Sequence, residues 1–196
     1  MNSHPRRAGF TILELLISMV VLSVVLGGTT MTLLRVQQQY TAQRATIEAR
    51  EQARFLEMML TNLFRTSGAN PQRITPKENV YMVVNPLARS GTNWNNVDVR
   101  ADFNPVDGVL DGELESVRIA LTQDTVYITP SVAAAAEPIA FPVSELRFRF
   151  YTLGGTEISD AAAVPTTARR VRITIAVPTK QSSNVIRRET WIALRN

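Results

Sequence analysis

The chain has 196 residues, of which 45% are hydrophobic and 19% charged, and its formal net charge is +4. This length fits one domain of ordinary size plus an additional element, and it argues against a second full domain. The sequence contains no cysteine, which excludes a disulfide framework, a thiol nucleophile and a zinc ribbon. A net charge this small says little about partners.

The first predicted element is an apolar helix over residues 10–34, FTILELLISMVVLSVVLGGTTMTLL, in which Glu14 is the only charged residue. At ~1.5 Å per residue this helix would be about 37 Å long, which is enough to cross a hydrocarbon layer of ~30 Å. Arg6 and Arg7 precede it, and basic residues at this place keep the N-terminus in the cytoplasm. We therefore expect one membrane-spanning helix, with the rest of the chain outside the cytoplasm.

Three interpretations compete for this segment: a secretory signal peptide, a plain signal anchor and a prepilin leader. A secretory signal peptide has an uncharged core followed by a small-x-small cleavage site, whereas this core contains Glu14 and no clear A-x-A sequence follows. A plain anchor gives no reason for an ionisable side chain inside hydrocarbon, which costs ~2.5 kcal/mol or more and usually marks function. The position of Glu14 therefore favours the prepilin leader.

The segment Gly9-Phe10-Thr11-Ile12-Leu13-Glu14, between two arginines and the apolar helix, resembles the class III signal of type IV pilins and type II secretion pseudopilins. The resemblance implies that residues 1–9 are a leader, that a prepilin peptidase cleaves after Gly9, and that Phe10 is then methylated on its amine. It also implies a single-pass protein of the bacterial inner membrane, which an assembly platform builds with other subunits into a surface pilus or a periplasmic pseudopilus. Two departures stand out: Ile12 replaces a commoner leucine, and Gly27-Gly28 lies in a helix that in major pilins usually contains a proline.

The charge of Glu14 has a physical role in such a filament. Apolar helices pack there without lipid or water, so the free amine of Phe10 would be a buried charge that needs a partner. Glu14 of a neighbouring subunit could supply that partner and fix the axial register of the helices, much as a single polar residue fixes the register of a coiled coil.

Gly27 and Gly28 form the weakest point of this predicted helix. Each glycine destabilises a helix by about 1 kcal/mol relative to alanine. We predict that the helix bends or melts here during assembly, and the alternative is a close-packing site between helices.

Residues 35–69 are predicted to continue the same helix in amphipathic form. Its apolar residues form two stripes on different faces, the first through Val36, Tyr40 and Ile47 and the second through Phe55, Met59 and Leu63. We interpret the first half of the helix as the part that contacts other helices and the second half as the part clasped by a globular head. Gly68 and Pro71 supply the end signal. A stalked protein with a coiled-coil neck is the alternative, but the apolar register is too irregular for several heptads.

Residues 70–196 are predicted to form a β-rich head, because short apolar runs alternate with Pro, Gly, Asn and Asp. The predicted strands each have one apolar face and comprise residues 80–84, 117–121, 126–128, 146–150, 171–177 and 185–194. A turn at Thr122-Gln123-Asp124 predicts a hairpin. The expected fold class is α+β, with a long N-terminal helix packed against a C-terminal antiparallel sheet.

Three segments of this head are also similar, in their order, to PilW-type minor pilins and more loosely to J-type minor pseudopilins. They are ADFNPVDGVLDGELESVRIAL, EPIAFPVSELRFRFY and ARRVRITIAVPTK. The resemblance implies a minor subunit of a type IV pilus, active in assembly or initiation, adhesion, motility or DNA uptake. The alternatives are a minor pseudopilin of a type II secretion system and a membrane-tethered binding head that does not polymerise.

Residues 102–113 form a candidate calcium site, because five oxygen-bearing side chains surround two glycines. These side chains are Asp102, Asn104, Asp107, Asp111 and Glu113. The extra residue between the second and third of them breaks the EF-hand spacing. The alternative is an Asx-rich turn that is capped by its own backbone.

Arginines of the predicted strands form a candidate nucleic-acid surface, since they could line the outer face of the sheet and bind phosphates. They are Arg147, Arg149, Arg170, Arg172, Arg187 and Arg188, with Tyr151 and Trp191 as the nearby aromatic residues. Alternatively these arginines pair with neighbours such as Glu145 and Glu189. Catalysis has little support, because the only histidine, His4, lies in the predicted leader. We therefore expect a protein that is not an enzyme.

Overall fold

A computed structural model describes residues 11–67, 83–84, 89–90, 93–101, 116–130, 135–180 and 184–194. The chain divides into two compact units, Met1–Arg44 and Ala45–Asn196. Helix α1, Ile12–Thr66, has 55 residues and contributes to both units. Antiparallel strands follow it, which confirms the predicted α+β class.

Helix α1 begins at a capping sequence, Thr11-Ile12-Leu13-Glu14. The hydroxyl of Thr11 accepts a hydrogen bond from the backbone amide of Glu14 at 3.3 Å, which satisfies one of the free donors at the helix start. The carboxylate of Glu14 lies in the first turn, where the helix dipole stabilises a negative charge. The same four residues that resemble the pilin signal therefore also start the helix.

Hydroxyl groups within the apolar part of α1 form their hydrogen bonds inside the helix. Each of five side chains donates to a carbonyl three or four residues earlier: Ser18, Ser23, Thr29, Thr30 and Thr32. A donor without a partner in hydrocarbon would cost several kcal/mol, so this internal pairing lowers the cost of placing the segment in a membrane. The helix also continues through Gly27 and Gly28 without a break.

The apolar part of α1 lies in the first unit and is exposed there, as is every other described residue of that unit. Among the described residues, α1 is the one helix long and apolar enough to cross a membrane, and none of its apolar window is buried. This exposed surface fits a membrane-anchored protein.

The second unit contains eleven described strands, a 3-10 turn at Ala161–Ala163 and a short helix α2 at Val164–Thr167. The strands are β1 (Val83–Val84), β2 (Arg89–Ser90), β3 (Asn93–Trp94), β4 (Asn96–Arg100), β5 (Ser116–Thr122), β6 (Thr125–Pro130), β7 (Glu137–Ala140), β8 (Glu145–Tyr151), β9 (Glu157–Ile158), β10 (Arg170–Pro178) and β11 (Val185–Ala193).

These strands form two antiparallel sheets rather than the single sheet that the sequence predicts. One has the order β1-β4-β5-β6-β7 and the other the order β11-β10-β8-β3-β2, with β9 also paired to β8. The predicted hairpin is confirmed as β5 and β6, with Thr122 opposite Thr125. Gln123 in its turn has a φ of 58°, and two-residue hairpin turns require such a positive value at their first central position.

The part of α1 in the second unit packs against the sheets through a face that the sequence pattern did not identify. Its buried residues are Ala45, Ala49, Ala53, Leu56, Leu60 and Phe64. The predicted stripe of Phe55, Met59 and Leu63 is wrong by one residue, since Phe55 is 49% exposed and the other two only flank the core. The predicted stripe contains only large side chains, whereas the small side chains of Ala45, Ala49 and Ala53 let the helix approach the sheets closely.

One hydrophobic core joins α1 to both sheets. The ring of Phe64 lies 5.4 Å from that of Phe148, and Trp94 lies 5.3 Å from Phe150. The predicted inward faces of β8 and β10 are confirmed, with their alternate apolar side chains buried: Leu146, Phe148, Phe150, Val171, Ile173, Ile175 and Val177.

Leu60→Ala should lower the free energy of unfolding of the second unit by about 2–5 kcal/mol, because it empties space beneath a side chain that is 0% exposed. The measurement is denaturant unfolding of the full chain in detergent, followed by near-UV circular dichroism. Met58→Ala is the matched control, since Met58 is 59% exposed and should change stability by less than about 0.5 kcal/mol. Equal losses in the two variants would contradict this assignment of the buried face.

Candidate functional site: the N-terminal helix and the outer sheet face

Of the three residues predicted to act in cleavage, methylation and assembly, the structure describes Glu14, whereas Gly9 and Phe10 lie outside the described residues. Its side chain is exposed in the first turn of α1. Among the described residues, no cation pairs with this carboxylate. The site is therefore open to a positive charge from outside the described part of the chain, as the predicted pairing with a neighbour's terminal amine requires.

Gly28 lines a shallow groove of about 520 Å³ on the surface of α1, together with Val24, Val25, Thr29, Thr32 and Leu33. A Cβ added at Gly27 or Gly28 would meet no atom within 4 Å. The glycines thus leave room on the surface of the helix, as the close-packing alternative requires. A bend during assembly stays a prediction.

A second apolar stripe runs along α1 within the second unit, on the side opposite its buried alanines. Ile47, Phe55 and Met58, here called the outer helix stripe, share this side at about 100° per residue and are each at least 49% exposed. Exposed basic residues, Arg50 and Arg54, lie along one edge of the stripe. A helix buried on one face against its own sheet thus exposes a second apolar face.

The arginines of the predicted nucleic-acid surface lie on two faces of the six-stranded sheet. Register places five of them on the solvent side of β8, β10 and β11, here called the outer sheet face: Arg147, Arg149, Arg170, Arg172 and Arg187. The placement of Arg188 on that face is wrong, because successive side chains of a strand point to opposite sides. Arg188 instead pairs with Glu57 of α1, which also accepts a hydrogen bond from Thr190.

Carboxylates neutralise much of the outer sheet face. Oε1 of Glu145 lies 2.9 Å from Nε of Arg147, and Oε2 of the same carboxylate lies 2.7 Å from Nη2 of Arg187. Nε of Arg172 lies 2.6 Å from Oε1 of Glu189, and Nε of Arg149 lies 3.9 Å from Oε1 of Glu157. The structure thus has the pairing that was the alternative to a phosphate-binding stripe, and nucleic-acid binding stays a prediction.

The other sheet carries an ion pair that the sequence pattern did not reveal. Arg118 binds both oxygens of Asp98, at 2.6 and 3.0 Å. The hydrogen bond and the charge of Asp98 raise the pKa of Arg118 above its ordinary value. The two residues face each other across β4 and β5, so their pairing depends on strand register.

The predicted calcium ligands, Asp102, Asn104, Asp107, Asp111 and Glu113, all lie outside the described residues, so that site stays a prediction. Within the described part of the chain, no group of three or more His, Asp or Glu side chains is placed to hold a metal ion.

Residues 4–30 match a family described as the prokaryotic N-terminal methylation motif. The matched span contains Gly9, Phe10 and Glu14 and extends into the apolar part of α1. The motif, the exposed apolar helix and the antiparallel head together have a pilin-like architecture and are consistent with a membrane-anchored protein. The N-terminal methylation motif is typical of type IV pilin-like proteins and supports that class for this chain. No curated protein matches it.

Proposed function

We propose that the protein is a minor, non-enzymatic structural subunit of a type IV pilus. In this proposal it is anchored in the inner membrane, trimmed after Gly9 by a prepilin peptidase, methylated on Phe10 and built into the filament through α1. The observation that carries the proposal is the methylation motif, which leads directly into a 55-residue helix with an exposed apolar surface.

The outer helix stripe supports assembly through α1 beyond the membrane. An apolar face on a helix whose other face is already buried favours contact with another protein surface. A long helix of a neighbouring pilin subunit, delivered by the inner-membrane assembly platform, is the partner that this proposal supplies.

A minor pseudopilin of a type II secretion system is the second candidate function, since both classes share the N-terminal signal. The resemblance of residues 101–121, 137–151 and 168–180 to PilW-type minor pilins favours the pilus. A looser resemblance of the same segments to J-type pseudopilins favours secretion. A tethered head that never polymerises is the third candidate.

Deletion of the gene should reduce surface pili, together with motility, adhesion or DNA uptake, and should leave protein secretion intact. Complementation with the full chain should restore piliation and place the protein in the sheared surface fraction. Lost secretion with normal piliation would instead favour the pseudopilin. If both activities persisted and the protein stayed in the membrane fraction, the tethered head would replace the proposal.

A further inference from the structure

Trp191 is an exposed aromatic ring on the outer sheet face, and its neighbours hold it in place. The chain has two tryptophans, of which Trp94 is 0% exposed and Trp191 is 53% exposed. The ring of Trp191 lies 4.9 Å from the ring of Tyr151, and the guanidinium of Arg172 lies 5.6 Å from the centre of the indole. Aromatic and cation–π contacts of this kind hold the indole ring in one orientation before a ligand binds. Binding then costs little additional side-chain entropy.

A cavity of about 350 Å³ lies beside this ring. It is lined by Trp191, Arg170, Ile192 and Ala193. Small-molecule pockets begin at about 300 Å³, so a single sugar ring or a base would fit here. Among the described residues Arg170 has no carboxylate partner, and its guanidinium offers several donors at the cavity.

The charges around the cavity favour a sugar ring over a nucleic-acid base as the ligand. Arg172 is paired with Glu189, and Arg149 with Glu157. A groove that follows a nucleic-acid backbone needs unmatched positive charge, whereas here most guanidinium groups already have carboxylate partners. The carboxylates accept hydrogen bonds and the guanidinium groups donate them, which suits a ligand rich in neutral hydroxyl groups.

We propose that Trp191 and the cavity beside it bind a sugar ring of a neutral saccharide. The apolar face of the sugar stacks on the indole, and Arg170 donates hydrogen bonds to ring hydroxyls. The site lies wholly within the second unit and does not depend on filament assembly, so it stands or falls separately from the proposed function.

The protein itself supplies a probe of this site, because Trp94 is buried and Trp191 is the exposed emitter. The full chain, kept in a detergent without a sugar headgroup, is titrated with maltotriose, cellotriose, chitotriose and, as the competing class, a dT12 oligonucleotide. We expect a saturable change in tryptophan emission with at least one trisaccharide and none with dT12. No saturable response to any trisaccharide, or a stronger response to dT12, would overturn the proposal.

Substitutions distinguish stacking of the sugar on Trp191 from non-specific effects at the protein surface. Binding to these variants is measured by calorimetry, because Trp191→Ala removes the exposed tryptophan whose fluorescence reports binding. Trp191→Ala should weaken saccharide binding by about tenfold, and Trp191→Phe, which keeps a ring, by less. Arg170→Ala should also weaken binding, while Arg54→Ala, an exposed arginine on α1, should leave it unchanged. Undiminished binding by Trp191→Ala with an unchanged circular dichroism spectrum would assign the ligand to another place and reject this site.

Discussion

Gly9→Ala should leave the protein at its precursor mass, with residues 1–9 still attached and Phe10 unmethylated. We expect almost no trimming of this variant, because the resemblance implies cleavage after Gly9 and the matched motif spans this residue. Intact mass spectrometry of the membrane fraction measures it, since loss of the leader and gain of a methyl group are both resolved.

Gly27→Ala is the matched control for this experiment. It makes the same chemical change in the apolar helix that follows the leader, at a position where an added Cβ meets no atom within 4 Å. We expect normal trimming of that variant. Trimming of the Gly9→Ala protein at the wild-type rate would remove the basis of the pilin interpretation.

Glu14→Gln should be trimmed normally but should enter the filament about tenfold less, or worse. Glutamine can replace glutamate in a capping box, so the start of α1 is preserved while the charge is lost. The terminal amine of the neighbouring subunit would then be buried without its partner, which is strongly destabilising. The measurement is the ratio of mature protein in the sheared filament fraction to that in the membrane.

Thr11→Ala tests whether helix capping, rather than charge, is needed for assembly. It removes the hydroxyl that caps α1 and keeps the carboxylate of Glu14. The loss of a cap costs about 1 kcal/mol, which a 55-residue helix tolerates. We therefore expect this variant to assemble. If Glu14→Gln entered filaments as well as wild type, or if only Thr11→Ala failed, Glu14 would be a capping residue with no part in subunit register.

Local patterns in the sequence predicted much of this fold. The apolar run and the Gly68 and Pro71 signals predicted α1, which ends at Thr66. Alternation predicted the faces of β8 and β10, and the turn at Gln123 predicted a hairpin. These features are decided within a few residues of the chain, which is the range over which hydropathy and turn chemistry act.

Features decided by distant contacts were not predictable in this way. The division into two sheets depends on which strands pair, and the Asp98–Arg118 bridge depends on register between strands 20 residues apart. The alanine row of α1 carried a signal, since it repeats every fourth residue and leads into Leu56 and Leu60. The opposite faces of Arg187 and Arg188 also followed from simple alternation, which the grouping of these arginines overlooked.

The internally bonded hydroxyls of α1 have a consequence for how such a subunit changes surroundings. Because Ser18, Ser23, Thr29, Thr30 and Thr32 already donate to their own helix, none of them has to exchange a hydrogen-bond partner when lipid gives way to protein. Extraction from the bilayer then mainly replaces one set of van der Waals contacts by another, with similar energies on both sides. In the proposed assembly these hydroxyl groups would therefore change little in energy between bilayer and filament, and Glu14, the only charged residue of the segment, would be the group whose surroundings change most.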